Sequence, residues 1–183
     1  MEWLTNYNEH KYHERSELSS HGMMEFIKSP YKHFRKHVKK DSPGFEKSDA
    51  MNLGSLVHHL VLEPTRKVYF MPDLDGRTKE GKAAKEALTN STPPQETIYS
   101  FKEEAKAQAI LAALRAHEEA NKWLFESKFT TEHTGITEFM GIPTRIRCDM
   151  INDKYIVDLK TTSNASPKDF GRYCENNGYI IQA

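Results

Sequence analysis

Cysteine is nearly absent. The 183 residues contain two, Cys148 and Cys174, too few for a disulfide framework, a four-thiolate zinc site or an iron–sulfur cluster. That count argues against redox and cluster chemistry, including the iron–sulfur nucleases. No run approaches the ~20 consecutive apolar residues of a membrane helix. The segment Met1 to Arg15 is polar and mixed in charge rather than basic and then apolar, so it does not read as a leader. A soluble, cytoplasmic protein is expected. Net charge is missing as well, with 26 Lys and Arg against 26 Asp and Glu. The surface as a whole is therefore no electrostatic trap for nucleic acid, although a local basic patch remains open.

Such a patch is present. Between Ile27 and Lys40 there is no acid, while Lys28, Lys32, Arg35, Lys36, Lys39 and Lys40 crowd together with His33 and His37. The acids gather later, at Glu103, Glu104, Glu118, Glu119 and Glu126. A pair of histidines four apart on a helix has zinc-ligand spacing, but His33 and His37 have no third ligand near them in sequence. A solvated or phosphate-facing role fits them better.

Ser19 and Ser20 are good caps for a helix through Met23, Met24, Phe26 and Ile27, and Ser29-Pro30 restarts it as a second, basic helix. Asp41-Ser-Pro-Gly reads as a loop. A third helix runs from Ala50 to Leu62 and is ended by Pro64, and a short one is expected over Lys79–Leu88. Ser100 and Glu103 form a capping box that opens a helix from Phe101 to about Ala120. The period then changes to two, giving strands over Gly135–Met140, Ile142–Ile151 and Tyr155–Lys160, the last two joined by a tight Asn152-Asp153 turn. Ser166-Pro167 opens a final helix through Phe170 and Tyr173.

A two-residue turn at Asn152-Asp153 would set Asp149 opposite Ile156, and so diagonally next to Asp158 on the face that also carries Lys160. Close carboxylates repel unless a cation lies between them, and hard oxygen donors suit Mg²⁺ or Mn²⁺. On a phosphodiester, such a metal polarises the phosphoryl oxygen, while Lys160 orients water and offsets developing charge. The plainer reading makes Asp158 and Lys160 the solvated face of a half-buried strand. On the third helix, Leu53, Leu56, Val57 and Leu60 form the apolar stripe, with His58 facing inward and His59 outward. His58 is either a satisfied core histidine or, a turn after Gly54, part of a site.

The ordered set Gly54-Ser-Leu-Val-His58-His-Leu-Val-Leu-Glu-Pro64, Arg77-Thr-Lys-Glu-Gly-Lys82, Arg147-Cys-Asp149, Ile156-Val-Asp158-Leu-Lys160-Thr-Thr162, Ala165-Ser-Pro167 and Tyr179-Ile-Ile-Gln182 resembles the nuclease domain of the RecE family (exonuclease VIII), within the PD-(D/E)xK superfamily. The resemblance spans residues 16–183. It implies an α/β, restriction-endonuclease-like core, a mixed β-sheet flanked by helices with an N-terminal helical part, after a polar lead-in at 1–15. It makes His58, Asp149 and Asp158 metal ligands and Lys160 the catalytic lysine. Glu132, ahead of Glu138, becomes the preceding acid, and Gln182 opens a Gln-x-x-x-Tyr pair whose tyrosine would fall beyond Ala183. On this reading the C-terminal end of the domain is missing. The implied activity is Mg²⁺-dependent digestion of linear double-stranded DNA from its ends, 5′ to 3′, in phage or prophage recombination within a bacterial host cell. The implied partners are a single-strand annealing protein and further copies of the chain, with Lys28, Lys32, Arg35, Lys36 and Lys39 on the DNA. A non-catalytic DNA-binding or assembly module of the same fold is the alternative.

Overall fold

The computed structural model describes residues 1–5, 7–42 and 47–182. In chain order these form β1 (Glu2–Leu4), α1 (Glu9–Glu14), α2 (Ser20–Lys28), α3 (Pro30–His33) with a π-helical turn (Phe34–Lys39), α4 (Asp49–Leu62), β2 (Tyr69–Phe70), α5 (Lys79–Ser91), β3 (Ile98–Tyr99) and α6 (Phe101–Ala116). Then come α7 (Glu118–Asn121) with a second π-helical turn (Lys122–Glu126), β4 (Thr130–Phe139), β5 (Ile142–Ile151), β6 (Ile156–Val157), α8 (Pro167–Asn176) and α9 (Tyr179–Gln182). The chain is an α/β protein. It divides into two compact units, Met1–Glu46 with Glu132–Ala183, and Lys47–Thr131. Among the described residues no helix is long and apolar enough to cross a membrane. The expected loop at 41–44 lies partly outside the described residues.

In the first unit the strands lie in the order β1-β4-β5-β6. β1 pairs antiparallel with β4, Trp3 opposite Gly135. β4 turns back into β5 through Met140 and Gly141, both at positive φ (52° and 78°). Leu18 adds a parallel bridge to Thr144. Residues 1–15, which read as a polar lead-in, thus hold a sheet strand and a helix. For β1 the cause is one close approach. Gly135 has no side chain, and the Trp3 ring fills the space where a Cβ would sit, 2.9 Å from its nearest atom, while stacking on His133 at 4.7 Å. An aromatic laid over a strand glycine restores the packing that the glycine forgoes.

The β5–β6 connection differs from the expected tight turn. Met150 faces Val157 and Ile151 faces Ile156, so four residues, Asn152 to Tyr155, make the loop. The Asn152 side-chain oxygen accepts from the N–H groups of Lys154 and Tyr155, both at 2.9 Å, and its own N–H donates to the Tyr155 carbonyl. This Asx turn consumes two more residues than the expected hairpin. The slip is even-numbered, so every side chain keeps its face.

In the second unit α4 packs on α6. Leu56, Val57, Val61 and Leu62 of α4 are buried, with Tyr99 and Ala107; each large apolar side chain so removed from water contributes roughly 1.5–3 kcal/mol. Ser48 caps α4, its hydroxyl accepting from Met51 N–H. The long helix expected to reach Ala120 ends at Ala116 because His117 turns extended (φ −88°, ψ 114°) and caps α7, its Nδ1 accepting from Ala120 N–H. His59, expected to face solvent, is instead part of a half-buried polar cluster. Its Nδ1 lies 3.3 Å from Glu63 Oε2 and 3.1 Å from Arg66 Nη1, and Arg66 bridges on to Glu96 at 3.3 Å. The hydrogen bond from His59, then those from Arg66, hold the Glu63 carboxyl down at about 2.

Two outcomes are expected. The ordinary Glu63 value of 4.5 drops to about 2 on folding, so its stabilisation is complete above pH 4.5 and lost as pH falls toward 2. Glu63→Gln should therefore cost about 1–3 kcal/mol at pH 7, a difference from wild type that shrinks toward zero in denaturation curves taken at pH 2. In the first unit, Gly135→Ala should push Trp3 off the sheet at a cost of about 1–3 kcal/mol, read as a red shift of tryptophan emission in the still-folded protein.

Candidate metal centre at the end of the β4–β5–β6 sheet

Alternation along β5 puts Arg145, Arg147 and Asp149 on one face and Ile146, Cys148 and Met150 on the other. Cys148 and Met150 are buried, and so is Arg145. The Arg145 guanidinium lies over the Tyr12 ring at 5.1 Å, and its Nη1 donates to the carbonyls of Arg15 and Glu17. Arg147 donates to Glu132 Oε2 at 2.5 Å, to the Tyr7 carbonyl at 2.9 Å and to Thr134 Oγ1 at 3.0 Å, and its guanidinium lies 5.9 Å from the centroid of the Tyr12 ring. Glu132 sits in β4 at a left-handed φ of 51°. Its side chain and that of Arg147 are only 18% and 12% exposed, so this is a desolvated ion pair rather than a surface one.

Beyond Arg147 the acids converge. The ligand-type oxygens of Glu132 and Asp149 lie within 4.8 Å of one another. Asp149 Oδ2 accepts a 2.7 Å hydrogen bond from the Leu159 N–H, which continues the β5–β6 pairing after the last ladder residue, Val157. Extending the observed register puts Asp158 directly opposite Asp149, closer than the diagonal placement expected with Ile156 opposite. Lys160 forms an ion pair with Asp158, and its Nζ lies 5.2 Å from the centroid of the Tyr179 ring. Gln182 Nε2 donates to Asp158 Oδ1 at 2.7 Å. Burial, then the nearby charges of Asp149 and Asp158, pushes the Cys148 thiol up, so beneath the carboxylates it stays protonated and inert. Burial, then Tyr173 and Asp158, pushes the Tyr179 phenol up to about 12.

The structure therefore brings Glu132, Asp149, Asp158, Lys160 and Gln182 to one end of the sheet. Glu138 is exposed near the hairpin tip. His58 lies in the second unit, half-buried on α4. Of the basic residues, Arg35 is bound to Asp41 and Lys36 to Glu25, which also accepts from His37 at 2.8 Å. Lys28, Lys32 and Lys39 are exposed. The rings of His33 and His37 meet at 4.5 Å, tilted by 32°. Burial, then the charge of His37, pushes His33 down. A groove of about 300 Å³ runs between α2 and α9, with Lys28, Tyr179 and Gln182 among its walls.

Two contributors were not assigned a role from sequence: Arg147, which supports Glu132, and Tyr179, which covers Lys160. The first is visible as the alternation Arg-x-Arg-x-Asp. The second depends on where α9 docks and leaves no local signal. A cluster of hard carboxylate oxygens with one adjacent ammonium can hold a divalent cation and present it to an anionic substrate.

Removing Arg147 takes from half-buried Glu132 the guanidinium that donates to its Oε2. Arg147→Met is expected to destabilise the protein by about 3–5 kcal/mol in urea denaturation, and the double variant with Glu132→Gln to recover part of that loss.

Comparison with known families adds one finding. The model of a PDDEXK-like domain of unknown function (DUF3799) matches residues 19–183. No curated protein and no solved structure matches the chain.

Proposed function

The chain belongs to the PDDEXK-like domain family DUF3799, a nuclease-type fold, and on that premise we propose that it is a Mg²⁺-dependent exodeoxyribonuclease of the RecE type acting on linear double-stranded DNA. The observation that carries the reading is the Asp149–Asp158–Lys160 constellation, held by the Leu159 N–H on Asp149 and closed by Gln182 on Asp158.

Asp149 and Asp158, with Glu132 beside them, supply the hard oxygen donors that Mg²⁺ or Mn²⁺ requires. When bound, the cation polarises the phosphoryl oxygen and lowers the pKa of water. The protein's own groups do the rest. Lys160 orients the attacking water and offsets the negative charge that builds on the phosphate. Gln182 donates to Asp158 Oδ1, so the cation would take Oδ2 in exchange for the Lys160 ammonium that pairs with it. Arg147 pairs with Glu132 and fixes where its carboxylate sits. Exposed Lys28, Lys32 and Lys39 serve as phosphate contacts, with Arg35 and Lys36 joining if DNA displaces their acidic partners. Digestion runs 5′ to 3′ in this reading and leaves a single strand for an annealing protein in phage or prophage recombination.

The test is release of acid-soluble nucleotides from linear and from covalently closed duplex DNA, with Mg²⁺ or with EDTA. Digestion of the linear substrate alone, dependent on Mg²⁺ and reduced at least ~10³-fold in Asp158→Asn and Lys160→Met, is the expected result. Label at the 5′ end should be released first. His58→Ala tests the ligand role implied for that residue and is expected to raise the Mg²⁺ concentration needed for half-maximal rate. DNA binding without digestion by a folded protein would overturn the enzyme in favour of a binding module.

A further inference from the structure

Among the described residues Lys160 meets Asp158 and the Tyr179 ring, and of these two contacts the ring's is the one that survives if Asp158 takes up a cation. The Asp158 carboxylate pairs with the ammonium, yet a divalent ion on that carboxylate would spend the charge that holds the lysine. A lysine side chain left with no other partner regains its rotamer freedom. The Tyr179 ring, 5.2 Å from Nζ, is within the reach of a cation–π contact, and its attraction does not depend on Asp158.

The ring itself is well anchored. Tyr179 makes an edge contact with Tyr173 of α8 at 5.9 Å. The residue before it, Gly178, is buried with a φ of 68°, and the Met24 side chain of α2 occupies the space where a Cβ would project. No other residue both adopts that backbone and leaves that space. From this anchored start, α9 presents Tyr179 to Lys160 and, three residues on, Gln182 to Asp158. One short helix thus grips both charged members of Asp158-Leu159-Lys160.

We propose that Tyr179 is a positioning residue for Lys160, its ring face holding the ammonium in place when the Asp158 carboxylate is engaged elsewhere. The role in turnover rests on the nuclease reading; the contact itself does not. A hydroxyl is not required for it, so Tyr179→Phe, although it gives up the hydrogen bond with Tyr173, should keep Lys160 as protected as in wild type, whereas Tyr179→Leu should not.

The decisive experiment is a series at position 179 of phenylalanine and its mono-, di- and trifluorinated forms, which weaken the ring quadrupole with little change in shape. Acylation of Lys160 by a succinimidyl ester is followed by mass spectrometry in EDTA, with exposed Lys154 as internal reference. Nuclease kcat and KM are measured in parallel with Mg²⁺. Lys160 reactivity should rise stepwise along the series, about two- to fivefold at its end, and kcat should fall in step while KM stays constant. Fluorinated variants equal to phenylalanine in both readouts, in an active nuclease, would overturn the positioning role and leave the nuclease reading intact. Graded acylation in a protein that digests no DNA would overturn the nuclease reading and leave the ring–ammonium contact established. Tyr179→Leu indistinguishable from wild type in acylation would overturn the contact itself.

Discussion

Two guanidinium groups on one face of β5 hold the first unit together. Arg145 and Arg147 are two residues apart and so side by side, an arrangement that repels unless something shares the charge. What shares it is the N-terminal segment: the carbonyls of Tyr7, Arg15 and Glu17, and the Tyr12 ring within cation–π reach of both guanidiniums. Backbone carbonyls and an aromatic face are good partners for buried arginine because they neutralise it without adding a formal charge that must itself be desolvated. Residues 7–17 are ordered by this attachment, and β1 follows onto the edge of β4. Arg147 also donates to Glu132 and so holds that half-buried side chain next to Asp149.

The candidate centre is assembled beyond those arginines, where regular pairing stops. β6 contributes only two ladder residues. Past Val157 the strand is held by a side chain instead of a strand: the Asp149 carboxylate takes the Leu159 N–H that a neighbouring carbonyl would otherwise take. A carboxylate accepting a backbone N–H is oriented as well as stabilised in its charged form. Beyond this point α9 takes over, holding Asp158 through Gln182 and meeting Lys160 with the Tyr179 ring. Short, irregular segments positioned by a rigid hairpin are common carriers of chemistry, because the hairpin supplies precision and the irregular ends supply reach.

The residues of this site were legible in the sequence to different depths. The alternation through Ile142–Ile151 marked β5 and put Asp149 on the polar face, and the face survived even though the turn was misplaced. Asn152-Asp153 has the composition of a two-residue turn, yet the Asn152 side chain bonds the amides of residues 154 and 155 and makes a four-residue loop. Turn length is decided by a competition among local hydrogen bonds that composition does not rank. His59 misled in a similar way. Helical periodicity placed it on the polar side, which is correct, but could not show that Glu63 and Arg66 would fold over it.

Sequence alone determined the longer helices, the two main strands and the shared face of Asp149, Asp158 and Lys160, because each rests on period, capping and charge within a few residues, while Glu132 and Gln182 entered through the family resemblance. Tertiary structure alone decided how close those residues come: the direct opposition of Asp149 and Asp158, the support of Glu132 by Arg147, and the placing of Tyr179 and Gln182 over Lys160 and Asp158. These depend on register across a loop and on the docking of α9 against α2. Both are set by long-range packing, such as the Met24 side chain against Gly178, to which no local pattern in the chain corresponds.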